Sequence, residues 1–151
     1  MPLTIREPRQ EELPTLSDLC FRSKAVWGYD AAFMEACRDE LTLEPHELRS
    51  TSIALAEIDS NPVGLAQVKV VGKEAELLKL FVEPVALRKG IGRALLTWAI
   101  DIARVEGARR LTIDADPGAA SFYRRMGACP AGEAPSNSIP GRMLPRLTIA
   151  L

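Results

Sequence analysis

The stretch from Leu77 to Ala103 constrains the fold of this chain more than any other part of its sequence. An apolar segment typical of a β-strand, Leu77 to Val82, leads into a basic glycine loop, Leu87-Arg88-Lys89-Gly90-Ile91-Gly92-Arg93, and then into a helical pattern. The free N–H groups and the dipole at a helix start favour an anion, and glycines let a phosphate approach the backbone. The stretch therefore predicts a strand, a loop that binds a pyrophosphate, and a helix.

The helix after this loop is predicted to bury one face against the rest of the protein. Its apolar residues recur at helical spacing. We expect six of them to lie on the buried face: Ile91, Ala94, Leu95, Trp98, Ile102 and Val105.

Two common phosphate-binding motifs do not fit the glycine loop. A P-loop needs Ser or Thr after Gly-Lys, and neither follows here. A dinucleotide-binding fingerprint needs a third small residue where this chain has Leu95, and it lies near a first strand rather than past the middle of the chain. A nucleotide-binding module therefore stays a weaker alternative.

The loop resembles motif A of the GNAT superfamily of acyl-CoA-dependent N-acetyltransferases, [Gln/Arg]-x-x-Gly-x-[Gly/Ala]. Gly90 and Gly92 occupy its two small positions, whereas Leu87 stands where the family has Gln or Arg. Arg88 and Lys89 are the candidates to supply the missing charge.

A second segment, Asp116 to Ala128, resembles motif B of the same superfamily, Asn-x-x-Ala-x-x-Phe-Tyr-x-x-x-Gly-Phe. Four of its residues match, namely Ala119, Phe122, Tyr123 and Gly127, whereas Asp116 replaces Asn and Ala128 replaces Phe. By its residues alone the segment is a short helix with Asp at the cap, Pro in the first turn and Gly past the end.

The resemblance implies an α+β (α/β-type GNAT) fold, a mixed and mostly antiparallel sheet of about six to seven strands flanked by helices. The chain reads as one domain, residues 1–151, with the order β-α-α-β-β-β-α-β-α-β-β. Pattern alone predicts helices at 11–20 and 30–41, and strands at 3–6, 52–58, 63–71, 74–82, 110–115, 129–133 and 146–151. It also predicts one further turn at 45–49 and a hairpin turn at 59–62.

The same resemblance implies which residues would hold acetyl-CoA as co-substrate. In the family, the strand before motif A departs from its neighbour at a bulge, and its free backbone groups bind the acetyl carbonyl and the pantetheine amides. The implied cofactor residues are Leu80, Phe81, Val82, Arg88, Lys89, Gly90, Ile91, Gly92, Arg93, Ala94, Asp116 and Phe122. An ordinary buried strand is the alternative for the first three.

Two residues are candidates for acid–base catalysis. Tyr123 shares a helical stripe with Phe122 and Met126, so it is predicted to face inward and to protonate the leaving thiolate. A tyrosine that only packs in the core is the alternative. Glu76 is predicted to lie on the same strand face as Leu80 and to act as the base, with a bound water as its rival.

Trp27-Gly28-Tyr29-Asp30 joins the first two helices, which in the family form one wall of the acceptor pocket. We expect Trp27, Tyr29 and Asp30 to contact the substrate. The alternative is a hydrophobic contact ahead of an Asp cap.

Composition agrees with an enzyme of this kind. The formal net charge of −1 favours no nucleic-acid partner, and three scattered cysteines with one histidine form no metal-binding pattern. No signal segment or membrane span is evident, so we expect a cytoplasmic protein without a membrane partner or a metal, and a homodimer is one expected assembly.

The resemblance therefore implies an acetyl-CoA-dependent N-acetyltransferase of the small single-domain bacterial type. It would transfer the acetyl group to a primary amine of a small molecule or peptide by direct attack in a ternary complex. The alternative is a non-catalytic acyl-CoA-binding domain of the same fold.

Overall fold

A computed structural model describes residues 2–151 of the chain. The strands are β1 (Leu3–Arg6), β2 (Ser52–Ile58), β3 (Asn61–Val71), β4 (Glu74–Val82), β5 (Arg110–Asp114), β6 (Cys129–Pro135) and β7 (Met143–Ala150). The α-helices are α1 (Leu13–Ala25), α2 (Ala31–Leu41), α3 (Glu47–Ser50), α4 (Ile91–Val105) and α5 (Ala120–Arg125). Among the described residues, the strands form one sheet in the order β1-β2-β3-β4-β5-β7-β6.

The observed architecture confirms the predicted fold class. All neighbouring strands are antiparallel except β4 and β5, which are parallel and are connected through α4. The predicted first helix begins at Leu13 instead of Glu11, which places Pro14 in the first turn, where a proline is tolerated. The hairpin between β2 and β3 turns on Asp59 and Ser60 alone, both with positive φ, so β3 begins two residues earlier than predicted.

Helices cover both faces of the sheet. On one face, α1 and α2 pack on β2 and β3 around Leu16, Cys37, Leu55 and Leu65. On the other face, α4 and α5 pack on β3, β4, β5 and β7 in two apolar clusters. None of the helices formed by residues 2–151 is both long and apolar enough to cross a membrane.

The buried face of α4 differs in part from the predicted face. Ile91 and Leu95 are buried as expected, but the remaining buried residues of α4 are Leu96, Ala99 and Ala103. Small alanines at these positions let the helix lie close to the sheet. The prediction that Val105 is buried was wrong: it lies in the last turn with 84% of its surface exposed.

Gly64 in β3 lets the start of α4 approach the sheet closely. A Cβ at this position would lie 2.8 Å from Leu95 Cδ1, 3.0 Å from Ile91 Cγ2 and 3.2 Å from the Phe81 carbonyl oxygen. The absence of a side chain in β3 therefore fixes how near the N-terminus of α4 comes to the end of β4.

Gly64→Ala should lower the free energy of unfolding by about 1–3 kcal/mol, because the added methyl overpacks the contact between α4 and the sheet. Gly92→Ala is the matched control, since its Cβ would meet nothing nearer than Phe122 Cζ at 3.4 Å. Urea denaturation of both variants checks this. An unchanged midpoint for Gly64→Ala would show that α4 does not depend on this close approach.

Candidate functional site

The candidate site forms where β4 and β5 stop pairing. The two strands pair only from Glu74 to Leu77 with Arg110 to Ile113, but β4 continues to Val82 with β3 as its neighbour on the other side. Within residues 2–151, no strand therefore covers the β5-facing edge of β4 from Leu78 onward. Backbone groups on that edge are free to bind a ligand.

A β-bulge lies at the point of divergence. Gln67 of β3 is opposite Lys79 and the next residue, Val68, is opposite Leu77, so Leu78 has no partner across the ladder. A bulge inserts one residue into one strand and bends it. The bulge and the departure of β4 from β5 are the features that the family resemblance implied for this strand.

After the bulge, the side chains of β4 occupy the opposite face of the sheet from the one that simple alternation predicts. Leu80 packs with the clusters under α4, whereas Glu76 is opposite Lys69 on the face that carries α1 and α2. The prediction that Glu76 shares a face with Leu80 was wrong, because a one-residue insertion reverses strand alternation. Glu76 is exposed in a separate shallow groove beside Arg110 and Arg146.

The gap between the two strands opens into a cleft of about 520 Å³. One end of the cleft, the loop end, is formed by residues 86–93 and by α5. The other end, the helix end, is formed by α1 and α2. Ten of the twelve predicted cofactor residues line this cleft, and Lys89 and Ala94 do not.

The loop end presents free backbone N–H groups. The first backbone hydrogen bond of α4 runs from Ala94 N to the Gly90 carbonyl oxygen at 3.1 Å, so the N–H groups of residues 91–93 precede the helical ladder. Gly90 has φ +76° and Arg88 has φ +67°, conformations that turn the loop tightly before the helix. Arg88, Arg93 and Arg125 line this end and make it positive. The arrangement suits a phosphate group.

Tyr123 lies inside the cleft wall. Its side chain is only 6% exposed, and its ring meets the Phe122 ring edge to face with centroids 5.2 Å apart. Its hydroxyl has no hydrogen-bond partner among residues 2–151. Since every fully buried side-chain nitrogen or oxygen in these residues does have a partner, the Tyr123 hydroxyl is not fully buried and opens into the cleft. Burial raises the pKa of the Tyr123 phenol well above its ordinary value, and the charge of Asp116 raises it further.

Asp116 connects motif B to the helix end of the cleft. Its Oδ1 accepts a hydrogen bond from the Gly118 N–H at 3.0 Å, and its Oδ2 accepts one from the Tyr29 hydroxyl at 2.6 Å. Tyr29 in turn accepts a hydrogen bond from Arg142 at 2.6 Å. Trp27 lines the cleft and packs on Gly118, where a Cβ would lie 2.7 Å from Trp27 Cε3.

Asp30 has a structural contact rather than a place in the cleft. Its side chain accepts a hydrogen bond from the Phe33 N–H at 2.8 Å and caps α2. Tyr29 stacks on Phe33 with ring centroids 4.0 Å apart. Trp27 thus reaches the cleft directly, Tyr29 reaches it through Asp116, and Asp30 lies outside it.

Sequence reasoning missed five charged residues of the cleft: Lys24, Glu40, Lys79, Asp114 and Arg125. Lys79 interrupts the apolar segment Leu77 to Val82, and a charged residue there is a signal that the sequence offers. It stands on the face that carries α1 and α2 only because of the bulge, and the strand pattern does not show the bulge. Glu40 accepts a hydrogen bond from the Ser138 hydroxyl, which lies 98 residues later in the chain, so no local sequence pattern indicates this contact.

Comparison with known proteins agrees with this geometry. Residues 13–128 match the Acetyltransferase (GNAT) family. This chain belongs to that family. The prediction of an acetyl-CoA-dependent N-acetyltransferase of this family is confirmed by this match, which covers both motifs.

Relatives of the family resemble the chain over most of its length. Spermidine N(1)-acetyltransferase of Thermoplasma acidophilum is 28% identical over 120 residues, which are 71% of this chain and 74% of that protein. The PaiA N-acetyltransferase of the same organism, solved with coenzyme A, has a TM-score of 0.81 at 21% identity over all of both chains. The acetyltransferase YncA of Salmonella typhimurium, solved with acetyl-CoA, has a TM-score of 0.71 at 19% identity, covering 99% of this chain and 94% of the other.

Gly90→Ala should weaken CoA binding by about tenfold. The left-handed backbone conformation of residue 90 orients the loop N–H groups toward the phosphate site, and a Cβ disfavours that conformation. Gly107→Ala is the matched control: Gly107 also has positive φ and open space around its Cβ, but it does not line the cleft. Both variants should lose similar stability, roughly 1–2 kcal/mol. Titration calorimetry with CoA that finds equal affinities for the two variants would argue against the loop as a phosphate site.

Proposed function

We propose that this N-acetyltransferase works by direct transfer, with acetyl-CoA and a primary amine bound together in the cleft between β4 and β5. The observation that carries this proposal is the meeting of three features in one cleft: the free edge of β4, the N–H groups at the start of α4, and the Tyr123 hydroxyl. Each feature provides one element that thioester chemistry needs.

The loop end of the cleft fits the pyrophosphate of CoA. The N–H groups of residues 91–93 can donate to phosphate oxygens, and the helix dipole favours their charge. Arg88, Arg93 and Arg125 are placed to neutralise further phosphate charge. Arg88 and Arg93 can replace the charge of the family's Gln or Arg, for which this chain has Leu87.

The free edge of β4 fits the pantetheine arm and the thioester. Residues 80–82 keep their pairing with β3 through Gly64 to Ala66, so the strand that presents the edge is held in place. An N–H group of this edge would polarise the acetyl carbonyl as negative charge develops on its oxygen. A donor of this kind typically contributes about 2.7–4 kcal/mol to the transition state.

Tyr123 is the proposed general acid. As the amine nitrogen forms its bond to the acetyl carbon, the carbon–sulfur bond breaks and the Tyr123 hydroxyl donates its proton to the departing thiolate. The nitrogen loses its second proton to solvent as the amide forms, and solvent returns a proton to the phenolate. The raised pKa keeps the phenol protonated at neutral pH, as an acid must be before the reaction.

A bound water is the proposed first acceptor of the proton that the ammonium must lose. Glu76 is not placed for direct contact, since it lies in the groove outside the cleft. Glu40 and Asp116 are the carboxylates through which a water in the helix end could pass that proton onward.

The acceptor is proposed to enter from the helix end, where Trp27 and the Tyr29–Asp116 pair form its wall. This fits a primary amine of a small molecule or a peptide. The spermidine N(1)-acetyltransferase relative makes a polyamine one candidate acceptor. A cytoplasmic location and a homodimer remain proposals of the same kind.

Tyr123→Phe removes one hydroxyl and keeps the ring that packs on Phe122. If the hydroxyl protonates the thiolate, kcat should fall by about 10²- to 10⁴-fold while CoA affinity stays near wild type. Stability should change little, because the hydroxyl has no hydrogen-bond partner among residues 2–151. Thiol release from acetyl-CoA with an amine panel measures the effect.

Tyr29→Phe is the comparison variant, since it removes the protein's other tyrosine hydroxyl, which bonds to both Asp116 and Arg142. Its loss should appear mainly in stability and in the KM for the amine. Turnover of Tyr123→Phe within a few-fold of wild type would leave solvent as the acid. Absence of turnover in the wild type, with CoA bound, would favour the acyl-CoA-binding alternative.

The pH dependence of kcat offers an independent test of Tyr123. A phenol of ordinary pKa would be half ionised at about pH 10 and would lose half its activity as an acid there. Because the pKa of Tyr123 is raised, its proton is lost only at higher pH. Wild-type kcat should therefore stay level to about pH 10. A decline centred below that pH would contradict the assignment.

A further inference from the structure

Lys79 is a buried ammonium group that the proposed mechanism does not use. It lines the cleft with only 8% of its surface exposed, on the sheet face that carries α1 and α2. Across residues 2–151, no carboxylate lies within 4.0 Å of its Nζ. Burying an ammonium without a counter-charge is costly, and a negatively charged ligand group beside it would offset that cost.

The partner that Lys79 does have is neutral and held in place. Its Nζ donates to Gln67 Oε1 at 3.1 Å, and Gln67 Nε2 donates to Glu47 Oε1 and Thr51 Oγ1, each at 3.1 Å. Both donated bonds fix the amide so that its oxygen points at Lys79. The ammonium has three donors and this contact uses one of them. Two donors therefore remain on a residue that lines the cleft.

The other charges at the helix end are already engaged. Asp114 accepts hydrogen bonds from Nε and Nη2 of Arg146, at 2.7 and 3.0 Å. Asp116 lies between Lys24 at 3.6 Å and Arg142 at 3.8 Å. Glu40 also lines this end and accepts a hydrogen bond from the Ser138 hydroxyl. Among residues 2–151, a substrate with several ammonium groups would therefore find only Glu40 without a cation partner here.

We propose that Lys79 binds a carboxylate of the acceptor, so that the substrate is an amino carboxylate rather than a polyamine. This inference rests on the proposed function. Lys79 precedes Leu80, whose backbone belongs to the edge proposed to hold the thioester. A carboxylate bound by Lys79 would therefore lie near the part of β4 proposed to hold the thioester. The acceptor is expected to carry its amine only a few bonds from its carboxylate, as α-amino acids do.

The test compares free α-amino acids with their primary amides, which have nearly the same size but no charge. With acetyl-CoA and the wild-type protein, the preferred acid should have kcat/KM about 10- to 100-fold above its amide, as for a charge-assisted hydrogen bond. Spermidine should be a poorer acceptor than that acid. A preference for amides or for spermidine would overturn the inference while leaving the acetyltransferase mechanism intact.

Lys79→Met keeps the length of the side chain and removes its charge. It should abolish the preference for acids over amides by lowering kcat/KM for the acid alone, and Lys79→Arg should retain part of that preference. Lys69→Met is the control, because Lys69 lies on the same sheet face in the groove outside the cleft. The urea midpoint of each variant separates a folding defect from a loss of recognition.

A binding measurement separates this inference from the proposed function. Calorimetric titration of the CoA-bound protein with the amino acid panel should show equal affinity for wild type and Lys69→Met, and about 10- to 100-fold weaker affinity for Lys79→Met. Such binding without any acetylation would support Lys79 and count against the proposed transfer. Equal binding to wild type and Lys79→Met would overturn the role of Lys79, whatever the turnover.

Discussion

The separation of β4 from β5 after Leu77 is the constraint on which the rest of the site depends. Parallel strands that stayed paired would use their backbone groups on each other and leave no room between them. Here β5 ends at Asp114, and β4 continues to Val82 alone on that side. The same divergence creates the cleft, frees an edge of backbone donors, and lets the chain pass directly from that edge into the phosphate loop.

Packing on both faces keeps the gap open. Pairing with β3 holds the free part of β4 in the sheet, and Gly64 in β3 admits the start of α4 against it. On the far side, Trp27 packs on Gly118, and Asp116 is held by Tyr29 and by the N–H of Gly118. The replacement of the usual Asn of motif B by Asp116 thus adds a negative charge at this position.

The sequence predicted the order of elements and most of the cofactor end because those features are local. A glycine loop between a strand and a helix, and an Asp-Pro start before Phe122 and Tyr123, can be recognised without long-range contacts. The errors arose where geometry depends on distant residues. The unpaired Leu78 reversed the face of Glu76 relative to Leu80. Val105 is exposed because it lies two residues after the buried Ala103, on the opposite side of the helix. Arg142 lies in a loop 113 residues after Tyr29 in the chain, and no periodic pattern indicates that the two side chains meet.

A crystal structure of the protein with CoA tests the central claim most directly. The account predicts that the pantetheine amides form hydrogen bonds with the β4 edge between Leu78 and Val82. The pyrophosphate should lie within hydrogen-bond distance of the N–H groups of residues 91–93, and the CoA sulfur should lie beside the Tyr123 hydroxyl. CoA bound elsewhere, or β4 and β5 paired to their ends in the complex, would contradict it.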